Sequence, residues 1–102
     1  MILSKANLYN EADQMTSFYA RAFTHPARLE VMRSLRHEKL LTVQQLSLDH
    51  PLSLSAVSQH LEILRDTQIV SFKPHYPFLL YSLDEESNLN SFVFQNLIFQ
   101  VR

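Results

Sequence analysis

The chain has 102 residues, 46 % of them hydrophobic and 19 % charged, so it holds one domain with enough apolar side chains for a core and no room for a second full-sized one. Nine Lys and Arg against ten Asp and Glu give a formal net charge of -1, which excludes a polybasic tail or a membrane-seeking polybasic face but leaves a localised basic patch open. Cysteine and glycine are both absent, which removes disulfides, thiolate metal sites and iron–sulfur clusters on one side, and glycine-dependent phosphate and dinucleotide loops on the other.

The opening MILSKANLYNEADQ has no apolar run fit for a signal peptide, and no stretch approaches the roughly 18 apolar residues of a membrane span. A cytoplasmic protein is the expectation. Aromatic residues reach 11 %, more apolar area than one small domain readily covers, which points toward a dimer.

In chain order, Ala12, Met15, Phe18, Tyr19 and Ala22 recur at helical spacing from about Glu11 to Phe23. Thr24 or His25 can cap a second helix with Pro26 in its first position, its apolar side made by Leu29, Val31, Met32 and Leu35. His37 to Leu41 reads as a polar connection. Thr42 and Gln45 form a capping box that opens a short helix, stopped by Pro51. Ser53 opens a helix to about Thr67 with Val57, Leu61 and Leu64 along one stripe. Val70-Ser71-Phe72 and Phe78 to Leu83 read as two strands, with Lys73-Pro74-His75-Tyr76-Pro77 as the turn, since prolines are expected outside a ladder. Asp84 is placed to cap a last helix with Glu85 and Glu86 in its first turn and Leu89, Phe92, Val93, Leu97, Ile98 and Val101 along its stripe. The fold class that follows is mostly α (α+β): about five helices with a two-stranded β-hairpin. A short helix, a tight turn and a longer helix make a helix-turn-helix, and the hairpin behind it is a wing.

On the Ser53–Thr67 helix, burial of Val57, Leu61 and Leu64 turns Ser55, Ser58, Gln59 and Glu62 to the other side. Small hydroxyls and an amide suit the major groove of DNA: serine bonds phosphates or base edges, and glutamine bonds adenine in bidentate fashion. The same residues are also those of any solvated helix face, and it is the short helix before and the hairpin after that weigh toward DNA.

Four segments in register with these elements resemble the ArsR-type winged helix-turn-helix transcriptional repressors. Phe23-Thr24-His25-Pro26-Ala27-Arg28-Leu29-Glu30-Val31 resembles their "ALAHPTRLEIL" opening, Ser55-Ala56-Val57-Ser58-Gln59-His60-Leu61-Glu62-Ile63-Leu64-Arg65 is similar to their "S-x-V-S-x-H-L-x-x-L-R" recognition helix, and Leu80-Tyr81-Ser82-Leu83 to the closing strand of their wing. Leu41 to Leu46 looks like their first helix-turn-helix helix, so the likeness runs over roughly residues 20 to 84. The resemblance implies a repressor that binds double-stranded DNA as a homodimer until a signal releases it, the signal being an unidentified small-molecule inducer or protein partner. It carries DNA-contact roles to Ser53, Ser55, Ser58, Gln59 and His60 and to the wing, with Thr42, Gln44, Arg65, Lys73 and His75 completing the expected surface. It also implies a dimer interface on the first and last helices, at Met15, Phe18, Tyr19, Leu89, Phe92, Val93 and Leu97.

Two departures stand out. Gln68 occupies a bend where relatives place glycine, and the wing has Lys73 as its one full cation with His75 beside it, where relatives carry Gly with Arg. Arg28, Arg33, Arg36, Lys39 and Arg65 are the other candidates for a basic patch. Metal sensing, well known in this family, finds no ligand set: thiolates are absent, the last helix has carboxylates but no His, and the five His show no i, i+3 or i, i+4 pairing. No metal and no cofactor are expected. Nor is an enzyme: Glu85 and Glu86 are adjacent and so face different ways, and the Asp49-His50 pair has no pocket-forming elements around it. The alternative reading is a winged-helix module that has lost most DNA affinity and uses its apolar wing, with Tyr76, Phe78 and Leu79, to bind a protein.

Overall fold

A computed structural model of the chain describes residues 8–84. Four α-helices and one 3-10 turn precede a two-stranded antiparallel hairpin: α1 (Glu11–Ala20), the turn Arg21–Phe23, α2 (Pro26–Glu38), α3 (Val43–Asp49), α4 (Leu54–Asp66), β1 (Val70–His75) and β2 (Phe78–Leu83). This is a winged helix-turn-helix. The fifth helix expected after Asp84, with Leu89, Phe92, Val93 and Leu97, lies outside the described residues.

Each helix begins where its side chains can satisfy the free backbone N–H groups of a first turn. Asn10 Oδ1 accepts from Asp13 N at 2.8 Å for α1. The ring Nδ1 of His25 accepts from Ala27 N at 3.0 Å for α2, with Pro26 in the first position. Thr42 and Gln45 complete the capping box of α3, and Ser53 Oγ accepts from Ala56 N at 3.1 Å for α4. The first helix is shorter than its apolar spacing suggests. It tightens to 3-10 geometry at Arg21, and that turn carries Ala22 into the core.

The core is assembled from one stripe of each element behind α1: Val31, Met32 and Leu35 of α2, Leu46 of α3, Val57, Leu61 and Leu64 of α4, then Ile69, Val70, Tyr81 and Leu83. Leu41, expected in a polar connection, is buried there as well. It exchanges two backbone hydrogen bonds with Tyr81, at 3.1 and 2.8 Å, and so adds a single-residue third rung to the wing. Helix α1 contributes no buried residue.

The hairpin also differs from its expected outline. The strand β1 runs on through Lys73 and Pro74 to His75, and the turn is reduced to Tyr76-Pro77, joined by a cis peptide bond. Pro74 stands opposite Leu79. In a ribbon of two strands every second N–H faces away from the partner, so a proline at such a position forfeits no ladder bond.

Helix α4 ends in a Schellman arrangement: Ile69 N donates to Leu64 O at 2.8 Å and Gln68 N to Arg65 O at 2.9 Å, with Gln68 at φ 63°. The left-handed bend read from the sequence at Gln68 is therefore present without glycine. A second one, at Lys39 with φ 75°, ends α2.

Candidate nucleic-acid interface

The turn between α3 and α4 is held from three sides. Leu52 N donates to His50 O at 2.7 Å, Ser47 Oγ donates to Leu52 O at 2.8 Å, and the Nε2 of His50 lies 3.0 Å from Ser34 Oγ on α2. The angle between the two helices is thus set by side chains of α2 and α3 as well as by apolar packing.

With Val57, Leu61 and Leu64 wholly buried, α4 has one free side. Ser55, Ser58, Gln59 and Glu62 are all exposed along it, at the i, i+3, i+4, i+7 spacing of one helical face. Ser53 is exposed at the amino end, with its hydroxyl accepting the cap bond, and Gln44 is exposed on α3. Arg65 is exposed near the carboxyl end, its guanidinium 5.2 Å from the ring centroid of Phe72, which places the base of the wing against the helix. Lys73 and His75 are exposed on the wing itself.

Two of the expected contact residues are turned into the protein. Thr42 is 8 % exposed, and its hydroxyl accepts from Gln45 N at 3.1 Å while its own N–H donates to Gln45 Oε1 at 2.9 Å. His60 leans on His25, ring centroids 4.6 Å apart, with its Nδ1 buried and without a hydrogen-bond partner. Burial pushes the His60 imidazole below its ordinary pKa, and the neighbouring His25 and Arg28 push it the same way. Arg28 is lowered too, by burial and then by Arg21. This His25–His60 meeting joins residues too distant in the chain for any spacing rule to find.

The cations of α2 are partly spoken for. Arg28 Nη1 donates to Arg21 O at 2.6 Å and to Thr24 Oγ1 at 3.1 Å, and Arg33 pairs with Glu30 at 2.6 Å. Among the described residues no three His, Asp or Glu converge to hold a metal ion, and no helix is long and apolar enough to cross a membrane. On α1, Met15 and Phe18 are exposed and Tyr19 is half-buried, with Phe18 and Tyr19 edge to face at 5.1 Å. Leu54 at the start of α4 and Leu48 on α3 are also exposed apolar side chains beside the polar face. Leu54 flanks the buried stripe of α4, and Leu48 lies off the buried side of α3.

A helix presented by a second, shorter helix and flanked by a hairpin defines the winged helix-turn-helix class. Residues 25–71 match the model of the arsR family of bacterial regulatory proteins, and with that match the resemblance read from the sequence is borne out: the chain carries an ArsR-type helix-turn-helix. Among solved structures, NolR from Sinorhizobium fredii is similar with a TM-score of 0.74 at 28 % identity, over 93 % of this chain and 90 % of that one. HlyU from Vibrio cholerae N16961 gives 0.66 at 25 % identity over 85 % and 96 %. The transcriptional repressor PagR of Bacillus anthracis gives 0.67 at 23 % identity over 82 % and 93 %, a likeness of fold. No curated protein matches the chain significantly.

Proposed function

We propose that the chain is a DNA-binding transcriptional regulator, a repressor by its resemblance to the ArsR type, that works as a homodimer and does not sense metal through cysteine. The observation that carries this reading is the face of α4: three apolar side chains are fully buried, and the opposite side offers two hydroxyls and an amide with a free path to solvent. Ser55, Ser58 and Gln59 are assigned to base edges and phosphates of the major groove, and Ser53, Gln44, Arg65, Lys73 and His75 to the flanking backbone. Thr42 and His60 are assigned to holding the helices in place, because the Thr42 hydroxyl and the His60 Nδ1 face the protein. The two-fold contact is assigned to α1, which has no fully buried residue and exposes Met15 and Phe18. Two copies joined there present two α4 helices to one duplex.

Binding of the purified chain to random-sequence duplex DNA at low and moderate salt tests the reading. Association that weakens as salt rises is the expected result, and no association even at low salt removes it. A second reading, a protein-interaction module, is favoured by one observation: the exposed apolar end of the wing. The double substitution of Arg65 and Lys73 by Glu separates the two. It abolishes binding to DNA under the first and leaves capture of a protein nearly intact under the second.

A further inference from the structure

Four basic side chains gather where the 3-10 turn, the amino end of α2 and the flank of α4 come together. The His25 and His60 rings touch, with centroids 4.6 Å apart. Arg28 reaches back from α2, its Nη1 donating to Arg21 O at 2.6 Å and to Thr24 Oγ1 at 3.1 Å. Arg21 is exposed on the turn, its guanidinium 5.3 Å from the Phe18 ring centroid. The charges within this group have one sign: after burial, His25 and Arg28 act on His60, and Arg21 acts on Arg28, each disfavouring a further proton. Among the described residues no carboxylate pairs with any of the four. Glu30, the next acid along α2, pairs with Arg33 at 2.6 Å.

Hydrogen bonding decides which atoms face outward. His25 Nδ1 accepts from Ala27 N at 3.0 Å, so its neutral ring carries the proton on Nε2. His60 buries Nδ1, so its half-buried ring turns the Nε2 edge outward. In Arg28, Nε is buried and Nη1 is engaged, which leaves Nη2 as the further donor. The patch is thus a set of N–H donors from three elements, with like charges that repel a metal cation and attract an anion. Donors arriving from several directions suit a tetrahedral oxyanion better than a planar carboxylate. The patch also lies off the exposed face of α4: His60 follows Gln59 by about 100° around the helix and leans on α2, whereas Ser55, Ser58, Gln59 and Glu62 are exposed. That position favours a small ion over a duplex backbone.

We propose that Arg21, His25, Arg28 and His60 form a binding site for a small tetrahedral oxyanion of the phosphate class. The site does not depend on the DNA-binding reading above. The anion offsets the like charges that hold His60 neutral, so binding draws a proton from solvent onto that ring. It joins α4 to the amino end of α2 through one ion.

The test uses the full chain with inorganic phosphate and with sulfate, whose charge stays constant across neutral pH, at an ionic strength held with sodium chloride. Millimolar sulfate or phosphate is expected to move the ring signals of His25 and His60 in proton–carbon correlation spectra, and acetate to move them far less. Sulfate is expected to raise the pKa of His60, and its affinity to increase as pH falls from mildly alkaline to mildly acidic. Arg21→Gln removes an exposed cation and is expected to weaken sulfate roughly ten-fold, with melting unaltered in sodium chloride alone. His60→Gln keeps a donor but cannot take the proton, so its sulfate affinity is expected to lose the pH dependence. Ring signals that stay unmoved by sulfate, or that move equally in Arg21→Gln, overturn the site. Rings that respond to a short duplex and not to sulfate assign the patch to the DNA backbone and overturn it as well, while leaving the regulator reading standing.

Discussion

The Oγ of Ser34, in the middle of α2, lies 3.0 Å from the Nε2 of His50 at the carboxyl end of α3. Both side chains are half-buried, so the bond is partly shielded from competing water. It joins the scaffold helix to the turn that sets α3 against α4, and it therefore bears on binding as well as on stability. Ser34→Ala should cost about 1 kcal/mol, the usual net worth of such a bond, read as a lower urea midpoint with an unchanged m value. Its effect on affinity for DNA should exceed that of a solvent-facing serine outside the interface, because the turn loses one of its three ties. Equal affinity in Ser34→Ala and the unaltered chain would show that apolar packing alone fixes the helix angle.

Lys39 and Gln68 hold left-handed backbone in a chain with no glycine at all. At Lys39, φ is 75° and ψ -48°, and Leu40 N donates to Glu38 O at 2.9 Å, the strained three-residue turn that side chains with a Cβ resist. Such positions cost roughly 1–2 kcal/mol for a residue with a side chain, offset in part by the greater entropy that glycine has when unfolded. Lys39→Gly should therefore stabilise by up to about 1 kcal/mol, which for a domain of this size raises Tm by several degrees. Gln68→Gly should act in the same direction. A lower Tm in both variants would show that the bends carry no strain.

The charge state of His60 sets a pH window. Burial, then His25, then Arg28 hold its pKa below the ordinary 6.5. Between the lowered value and 6.5 the unfolded chain binds more protons than the folded one, so stability rises with pH there. The contribution is complete above 6.5 and is lost as pH falls through the folded-state value. Unfolding by urea across mildly acidic pH should show this decline, and His60→Gln should flatten it. A slope unchanged in His60→Gln would show that His60 does not carry the decline.

Much of this arrangement is legible in the sequence because it is local. The caps at His25, Thr42 and Ser53 are read from residues one to three positions away, and the α4 stripe from a spacing of three and four. The left-handed bend at Gln68 follows from the place of a helix end relative to the next strand. What stays illegible is pairing across the chain. The Leu41–Tyr81 rung, the Ser34–His50 bond and the His25–His60 contact join residues 16 or more positions apart, and no periodicity encodes them. The reading of Thr42 as a DNA contact meets a different limit: the sequence offers one hydroxyl two tasks, and in the structure it accepts the cap bond from Gln45 N. Pro74 is expected outside a ladder by a rule for central strands, whereas a two-stranded ribbon has only edges.

The dimer assigned to α1 has a direct test. Met15 and Phe18 are exposed on a helix with no fully buried residue. Phe18→Asp places a charge in the apolar seam, and burying an unpaired charge costs several kcal/mol. Sedimentation equilibrium should show the unaltered chain at twice the monomer mass and the variant as a monomer with its helical signal intact, since no core residue has changed. The monomer should bind DNA far more weakly, having one α4 in place of two. An unaltered chain that sediments as a monomer at all concentrations removes the dimer.

The last prediction separates the roles of α4 and the wing. A lysine that meets a phosphate releases counterions, and its loss lowers the slope of log affinity on log salt by about 0.9. Lys73→Ala should show that change at every sequence, with melting unaltered because the side chain is exposed. Gln59→Ala removes an amide from the exposed face of α4 and no charge. Its expected signature is the reverse: an unchanged slope, and a loss of preference at one base pair of a selected site worth roughly 1–3 kcal/mol. Arg65 belongs to both classes. Arg65→Lys keeps the cation but loses the planar group over Phe72, so it should preserve the slope while loosening the base of the wing, read as faster amide exchange along β1. If Lys73→Ala leaves the slope unchanged while Gln59→Ala lowers it, the assignment of backbone to wing and bases to α4 is inverted.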